Sequence, residues 1–234
     1  MKSKAPRPAK LHKKNLFAIY NKLLESYGPR KWWPAKTRFE VIVGAILTQN
    51  VSWHNAKTAI DNLKRANLLS PENILKAPCG RIACRIKSSR FYNQKAKKLK
   101  AFCRYLSSEY SGSLDRMFSK DTDLLRDELL CIKGIGKETA DCILLYAGKK
   151  PSFVVDAYTK RFLARYGLLK AIASYDEVRS FFTENLPEDV RLFNEYHALV
   201  VHHSHFVCRS KPRCGVCKVK KIGRGLYCRQ LMHL

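Results

Sequence analysis

Acidic side chains are scarce in this chain: 19 Asp and Glu stand against 45 Lys and Arg over 234 residues, a formal charge of +26. Solubility alone needs far less, so a polyanionic partner is expected, nucleic acid first. The blander readings are a solvated basic surface or attraction to an anionic membrane. Long apolar runs are missing too. No stretch approaches the roughly 18 apolar residues of a membrane-crossing helix, which excludes a helical span. The opening MKSKAPRPAKLHKKN lacks the apolar centre of a secretory signal and reads as a mobile basic tail. Nine cysteines are an odd number, unevenly spaced and without an export signal. A disulfide framework is therefore not expected; in a reducing cytosol the thiols serve as metal ligands or core residues. Stretches that alternate with period two are few, which argues against a sheet.

What is present is helical periodicity. At 46% hydrophobic and 27% charged, the composition is that of a globular protein with a genuine core. FEVIVGAILTQ, from Phe39, is apolar on several faces and predicts a buried helix. NQKAKKLKAFCRYLSSEYSG places Ala96, Leu99, Phe102, Cys103 and Leu106 on one stripe with lysines opposite. A helix capped by Asp121 or Thr122 buries Leu125, Leu129 and Ile132. The next carries Ala140, Ile143, Leu144 and Ala147 at helical spacing and ends by Gly148 and Pro151. VVDAYTKRFLARYG and SYDEVRSFFTENL predict further helices, and no internal repeat or low-complexity linker is seen. The fold class expected is all-α.

Between two of these helices runs KGIGK. The turn and the first N–H groups of the second helix lack intrahelical partners, and with the positive end of the helix dipole they can hold an anion. Gly134 and Gly136 are expected at positive φ, open to a close phosphate, with Lys133 and Lys137 adding charge. Such contacts position a duplex without reading its sequence.

Near the end, Cys208, Cys214, Cys217 and Cys228 are separated by five, two and ten residues. Four thiolates so close can hold an iron–sulfur cluster or zinc, and spacing does not decide between them. Seven basic residues and no acidic one lie between Cys208 and Cys228, suiting a second phosphate contact. Cys79, Cys84, Cys103, Cys131 and Cys142 read as small core residues, and His202, His203 and His205 as packed or DNA-facing rather than metal ligands.

The run IKGIGKETADCILLYAG followed by FVVDAYTKRFLARYG resembles the helix-hairpin-helix, Gly/Pro-rich loop and aspartate (HhH-GPD) of the endonuclease III superfamily of DNA glycosylases. ILTQN at Ile46–Asn50 and FYNQKAKKL at Phe91–Leu99 resemble two more of its motifs, in order. The resemblance implies two helical domains: a six-helix barrel with the hairpin over 38–150, and a second domain from 1–37 plus 151–234 with a [4Fe–4S] loop over 208–228. It favours the cluster over zinc, although the first and last cysteine spacings depart from the family's.

By the same resemblance Asp156 stabilises the oxocarbenium-like centre and orients or deprotonates water, although Asp before AYTKRF also suits a helix N-cap. Family members that also cut the strand carry a lysine where this chain has Glu138, and a carboxylate cannot form a Schiff base. Hydrolysis without strand cutting is implied.

KWWPAK, LTQN with Trp53 three residues on, FYNQKAK and GIGKE look most similar to the bacterial 3-methyladenine DNA glycosylase branch. That nominates Trp33 and Trp53, with Pro34 beside them, to stack a flipped alkylated purine. Gln49 and Asn50 would fill the gap left by the base, and Phe91 would wedge between base steps. Arg90 stands where relatives often have glycine. The reading implied is a monomeric, cytoplasmic, nucleoid-associated glycosylase acting on double-stranded DNA with damaged bases. A uracil or thymine mismatch glycosylase and a non-catalytic damaged-DNA-binding protein are the alternatives.

Overall fold

The computed structural model describes residues 8–30, 32–222 and 226–228, and the basic segment 1–7 and loop positions 223–225 lie outside them. The chain divides into two compact units, Trp33–Lys150 and the two ends, Met1–Trp32 with Pro151–Leu234. The all-α expectation holds. Strand pairing among the described residues is limited to Lys221–Ile222 against Leu226–Tyr227, an antiparallel ladder at the cysteine loop.

The Trp33–Lys150 unit is built around α2 (Arg38–Leu47), in which every residue from Phe39 to Leu47 is buried. Its one buried charge, Glu40, accepts from Lys64 Nζ (2.6 Å) and the Lys36 amide (3.1 Å), while Thr37 caps the helix through the Glu40 N–H. Against it pack α3 (Trp53–Arg65) and α6 (Tyr92–Tyr110), and on α6 lie α4 (Pro71–Lys76), α5 (Cys79–Arg85) and α7 (Leu114–Ser119). Ser52, Ser70 and Ser113 cap α3, α4 and α7 through backbone N–H groups. The apolar stripe expected on α6 is buried, but one of its lysines, Lys95, is buried with it.

The hairpin itself is α8 (Thr122–Cys131), capped by Asp121, and α9 (Lys137–Cys142). Arg126 on α8 forks onto Asp141 on α9, Nε to Oδ1 at 2.8 Å and Nη2 to Oδ2 at 3.1 Å, and so fixes the two helices to each other. Regular α-helix does not continue to Ala147 as the spacing suggested. From Ile143 to Ala147 the chain widens into a π turn, all five residues buried.

In the other unit, α1 (Pro8–Tyr27) packs on α12 (Val190–Phe206), with α10 (Ala157–Arg165) and α11 (Tyr175–Thr183) completing the group. The expected basic tail is therefore helix from Pro8 onward. Phe153 stacks on Phe182 at 3.7 Å, Phe193 meets Phe153 edge-on, and buried Tyr196 donates its hydroxyl to the Leu16 carbonyl at 3.0 Å. The segment before Asp156 is not helical, and Phe153, Val154 and Val155 are buried in it.

Candidate active site

The glycines of KGIGK have different jobs. Gly134 sits at φ +94°, a conformation that requires glycine, and a Cβ there would come within 2.5 Å of Lys98 Cγ and force that side chain to shift. Gly136, by contrast, is extended (φ −95°, ψ 178°), correcting the expectation of positive φ. A Cβ on Gly136 would meet nothing within 4 Å, and Lys133, Lys137 and Glu138 are exposed around it. The turn's donors thus stand at an open surface able to take a phosphate.

Gln49, just past the end of α2, reaches this turn. Its Nε2 donates to Thr139 Oγ1 at 2.8 Å and to the Gly134 carbonyl at 3.2 Å, and its Oε1 accepts from Lys98 Nζ at 2.5 Å. The amide expected to enter the duplex is engaged with the hairpin. Asn50, next to it, is exposed at φ +54°.

Phe91 is 66% exposed, at the tip of a tight loop. Arg90 has φ 54° and ψ 164°, a region used almost only by glycine, and Phe91 follows at φ 42° and ψ 32°. Conformations of this kind cost on the order of 1–3 kcal/mol each and persist only where the surroundings enforce them. An aromatic ring is thus held out to solvent on a strained backbone.

Trp33, Trp53 and Tyr146 gather in one cluster. The indoles meet edge to face at 5.2 Å, and Trp33 lies 5.1 Å from the Tyr146 ring, which the π turn supplies. Gly44 makes this possible, since a Cβ there would be 3.0 Å from the Trp33 ring. Pro34 is exposed next to them. Tyr146 and Gly44 escaped the sequence reading, for an apolar helical stripe gives no sign of which of its members borders an aromatic site.

In the other unit Asp156 caps α10. Oδ1 accepts from the Thr159 amide (2.7 Å) and hydroxyl (2.9 Å), while Oδ2 lies 3.6 Å from His197 Nε2 on α12. The side chain is 15% exposed. Burial alone would raise its pKa, but His197 and the Thr159 bonds outweigh that and hold the carboxyl below its usual range. His197 stands in an apolar helical run 41 residues from Asp156, so nothing local in the sequence pairs them.

The C-terminal end of α10 fixes the cysteine loop. Arg165 donates to the carbonyls of Cys208 (3.0 Å), Arg209 (2.7 Å) and Ser210 (2.9 Å) and to Cys208 Sγ (3.0 Å), and Arg161 adds a bond to the Cys208 carbonyl (3.0 Å). Tyr166 donates to the Val219 carbonyl. Among the described residues no disulfide involves Cys208, Cys214, Cys217 or Cys228. Burial pushes the Cys217 thiol up to about 11, with the charges of Cys208, Cys228 and Cys214 adding to it. Among the described residues no three His, Cys, Asp or Glu side chains form a ready ligand set. His203 is buried and bonded to the Tyr27 hydroxyl at 2.8 Å. His202 packs on Tyr27 and Phe206, and His205 is exposed. No helix among the described residues is long and apolar enough to cross a membrane.

Residues 43–188 match the family described as HhH-GPD superfamily base excision DNA repair protein. A Methanocaldococcus jannaschii protein provisionally named a DNA repair glycosylase is 49% identical over 208 residues, 88% of this chain and 94% of its own. Endonuclease III of Sulfolobus acidocaldarius is 32% identical over 190 residues, 79% and 82% of the two chains. Among solved structures, H. pylori 3-methyladenine DNA glycosylase bound to 1,N6-ethenoadenine superposes with a TM-score of 0.71 at 30% identity, covering 82% of this chain and 96% of that one.

Proposed function

The chain belongs to the HhH-GPD superfamily of base excision DNA repair proteins and is a DNA glycosylase of that family; on this footing we propose that it removes alkylated purines of the 3-methyladenine type from duplex DNA by hydrolysis, without cutting the strand. The observation that carries the substrate class is the cluster of Trp33, Trp53 and Tyr146. A purine alkylated at N3 or N7 is cationic, and an indole face attracts it by stacking and cation–π interaction worth about 0.5–2 kcal/mol. The same charge makes the base a good leaving group, so little acid catalysis is needed, and no carboxylate occurs from Val41 to Ile60. Likeness to the H. pylori enzyme, whose structure holds 1,N6-ethenoadenine, supports the choice. A base between two rings needs a slot of about 7 Å, twice a van der Waals separation. With Trp33 and Trp53 edge to face at 5.2 Å, one indole turns as the base enters.

Asp156 supplies the negative charge. Its Oδ1 is committed to Thr159, so Oδ2 is the oxygen with capacity for a water or for the sugar centre as positive charge develops at C1′. The low pKa keeps it ionised at neutral pH. Glu138 stands exposed on the first turn of α9, where it offers no amine to C1′. The hairpin donors around Gly136 bind a backbone phosphate, and Phe91 and Asn50 engage the duplex around the flipped base, with Gln49 tying the Asn50 segment to the hairpin.

A [4Fe–4S] cluster belongs to the same reading, held by Cys208, Cys214, Cys217 and Cys228, with zinc the alternative. The donor chemistry suits such a group: four cysteines outside any disulfide stand in one loop, which Arg161 and Arg165 clamp at Cys208, although as placed they form no ready ligand set. Held by these four cysteines, such a group would tie the loop together.

The test is incubation with methylated duplex DNA and chromatography of released bases, with Asp156→Asn alongside. Release of 3-methyladenine or 7-methylguanine by wild type alone supports the reading. Release of uracil or thymine from mismatches, with no methylated base, would overturn it.

A further inference from the structure

Lys95 has no place in the chemistry above, yet it is 2% exposed and pairs with no carboxylate among the ion pairs of the described residues. A buried ammonium is costly unless something offsets it. Its own helix does not help: Lys95 stands in the first turn of α6, at the positive end of the dipole. The side chain reaches instead to two other helix ends. Nζ donates to the Leu47 carbonyl (2.8 Å), the last residue of α2, and to the Ser89 carbonyl (2.5 Å), the last of the 3-10 turn Lys87–Ser89. Orphan carbonyls at helix C-termini are a favourable seat for a cation.

The chain leaving these two ends is the important point. After Leu47 come Thr48, Gln49 and Asn50, and after Ser89 come Arg90 and Phe91. The first segment carries the hairpin contact, and the second carries the strained backbone that presents the exposed phenyl ring. Lys98, one turn further along α6, holds Gln49 Oε1. We infer that Lys95 is a positioning residue: its ammonium holds the Gln49–Asn50 segment and the Phe91 tip in one register, so that wedging at a base step and filling of the vacated space occur as one event. This rests on the reading above that these two segments engage the duplex.

Lys95→Met keeps the length and apolar stem and removes the charge, and Lys95→Gln keeps a donor that is too short to span both carbonyls. Two readouts are taken on each: opening of the stack, by fluorescence of 2-aminopurine next to an alkylated purine in paired duplex, and single-turnover release of that purine from paired and from single-stranded DNA. Loss of charge-assisted bonds at both loop roots predicts at least about tenfold slower opening and release in paired DNA. Release from single-stranded DNA, where nothing need be wedged apart, stays within about twofold of wild type. In a Gln49→Ala/Phe91→Ala background, Lys95→Met slows nothing further.

Equal losses on paired and single-stranded DNA would make Lys95 a purely structural residue and overturn the inference, as would additivity with Gln49→Ala/Phe91→Ala or wild-type rates in both variants. If Lys95→Met does not fold, Lys95→Gln carries the same outcomes. Stack opening by wild type without release of any alkylated base would sink the substrate assignment and leave this inference to be judged on the opening rates.

Discussion

Replacing Arg126 by leucine takes a bidentate cation away from a buried carboxylate in the hairpin. Asp141 is fully buried and receives both arms of the guanidinium at 2.8 and 3.1 Å, while Arg126 is 12% exposed, so little water screens the pair. Breaking such a pair from one side costs about 3–5 kcal/mol, because the remaining buried charge loses the cation that offsets its desolvation. A domain with 5–15 kcal/mol of total stability loses a large share of it. With urea slopes of about 1–3 kcal/mol/M, the unfolding midpoint of the Trp33–Lys150 unit falls by roughly 1–5 M. Trp33 and Trp53 both lie in this unit, so equilibrium unfolding is followed by their fluorescence. Arg126→Leu/Asp141→Leu removes both charges and regains most of the loss, since two apolar side chains do not need each other in the way two charges do. A cost below about 1 kcal/mol for Arg126→Leu, or a double variant no more stable than the single one, would refute the argument that unbalanced charge dominates here.

Other expectations follow from the same geometry. Asp156→Asn keeps the cap to Thr159 but lowers single-turnover base release by about 10²–10⁴, with DNA affinity unchanged in a gel-shift titration. Glu138→Lys puts an amine where relatives that cut the strand have theirs, and gives a borohydride-trappable adduct and strand cutting on abasic DNA that wild type lacks. Trp33→Ala weakens capture of a cationic purine by about 0.5–2 kcal/mol, read as a raised half-saturation for methylated but not undamaged duplex. Glu128 makes an acid-stability prediction. Burial would raise its carboxyl, but Lys120, Tyr105 and Tyr110 reverse that and hold it at about 2, below the ordinary 4.5. Its contribution is therefore complete above about pH 4.5 and disappears as pH falls towards 2. With the side chain 31% exposed, screening reduces it to about 1–2 kcal/mol, which Glu128→Gln loses in urea titrations at pH 6 but not at pH 2.

The buried helix α2 and the apolar stripe of α6 were readable in advance because periodicity reports which face is dry. The hairpin was readable because glycine spacing marks a turn. Neither rule reaches a residue whose environment is made by distant segments. Lys95 looked like one of several solvated lysines, and only the meeting of two helix ends far off in the chain makes its burial tolerable. Gly136 looked like the twin of Gly134, but backbone conformation is set by the hairpin's path, and only one of the two is left-handed. The π turn kept the i, i+3, i+4 apolar spacing of a regular helix and so hid the widening that brings Tyr146 to Trp33. Asp156 was legible as a helix cap, whereas His197 opposite it was not.

Leu16 and Tyr196 are 180 residues apart where Tyr196 bonds the Leu16 carbonyl, and Tyr27 and His203 are 176 apart. At about 5–20 residues per second of synthesis, α1 waits roughly 9–36 s for the partner that covers Leu16, Ile19 and Leu23. The Trp33–Lys150 unit has all of its chain by then and closes first. The nascent protein therefore carries an uncovered amphipathic helix ahead of a finished unit, and it is during this interval, more than in the folded enzyme, that aggregation and chaperone capture compete with completion.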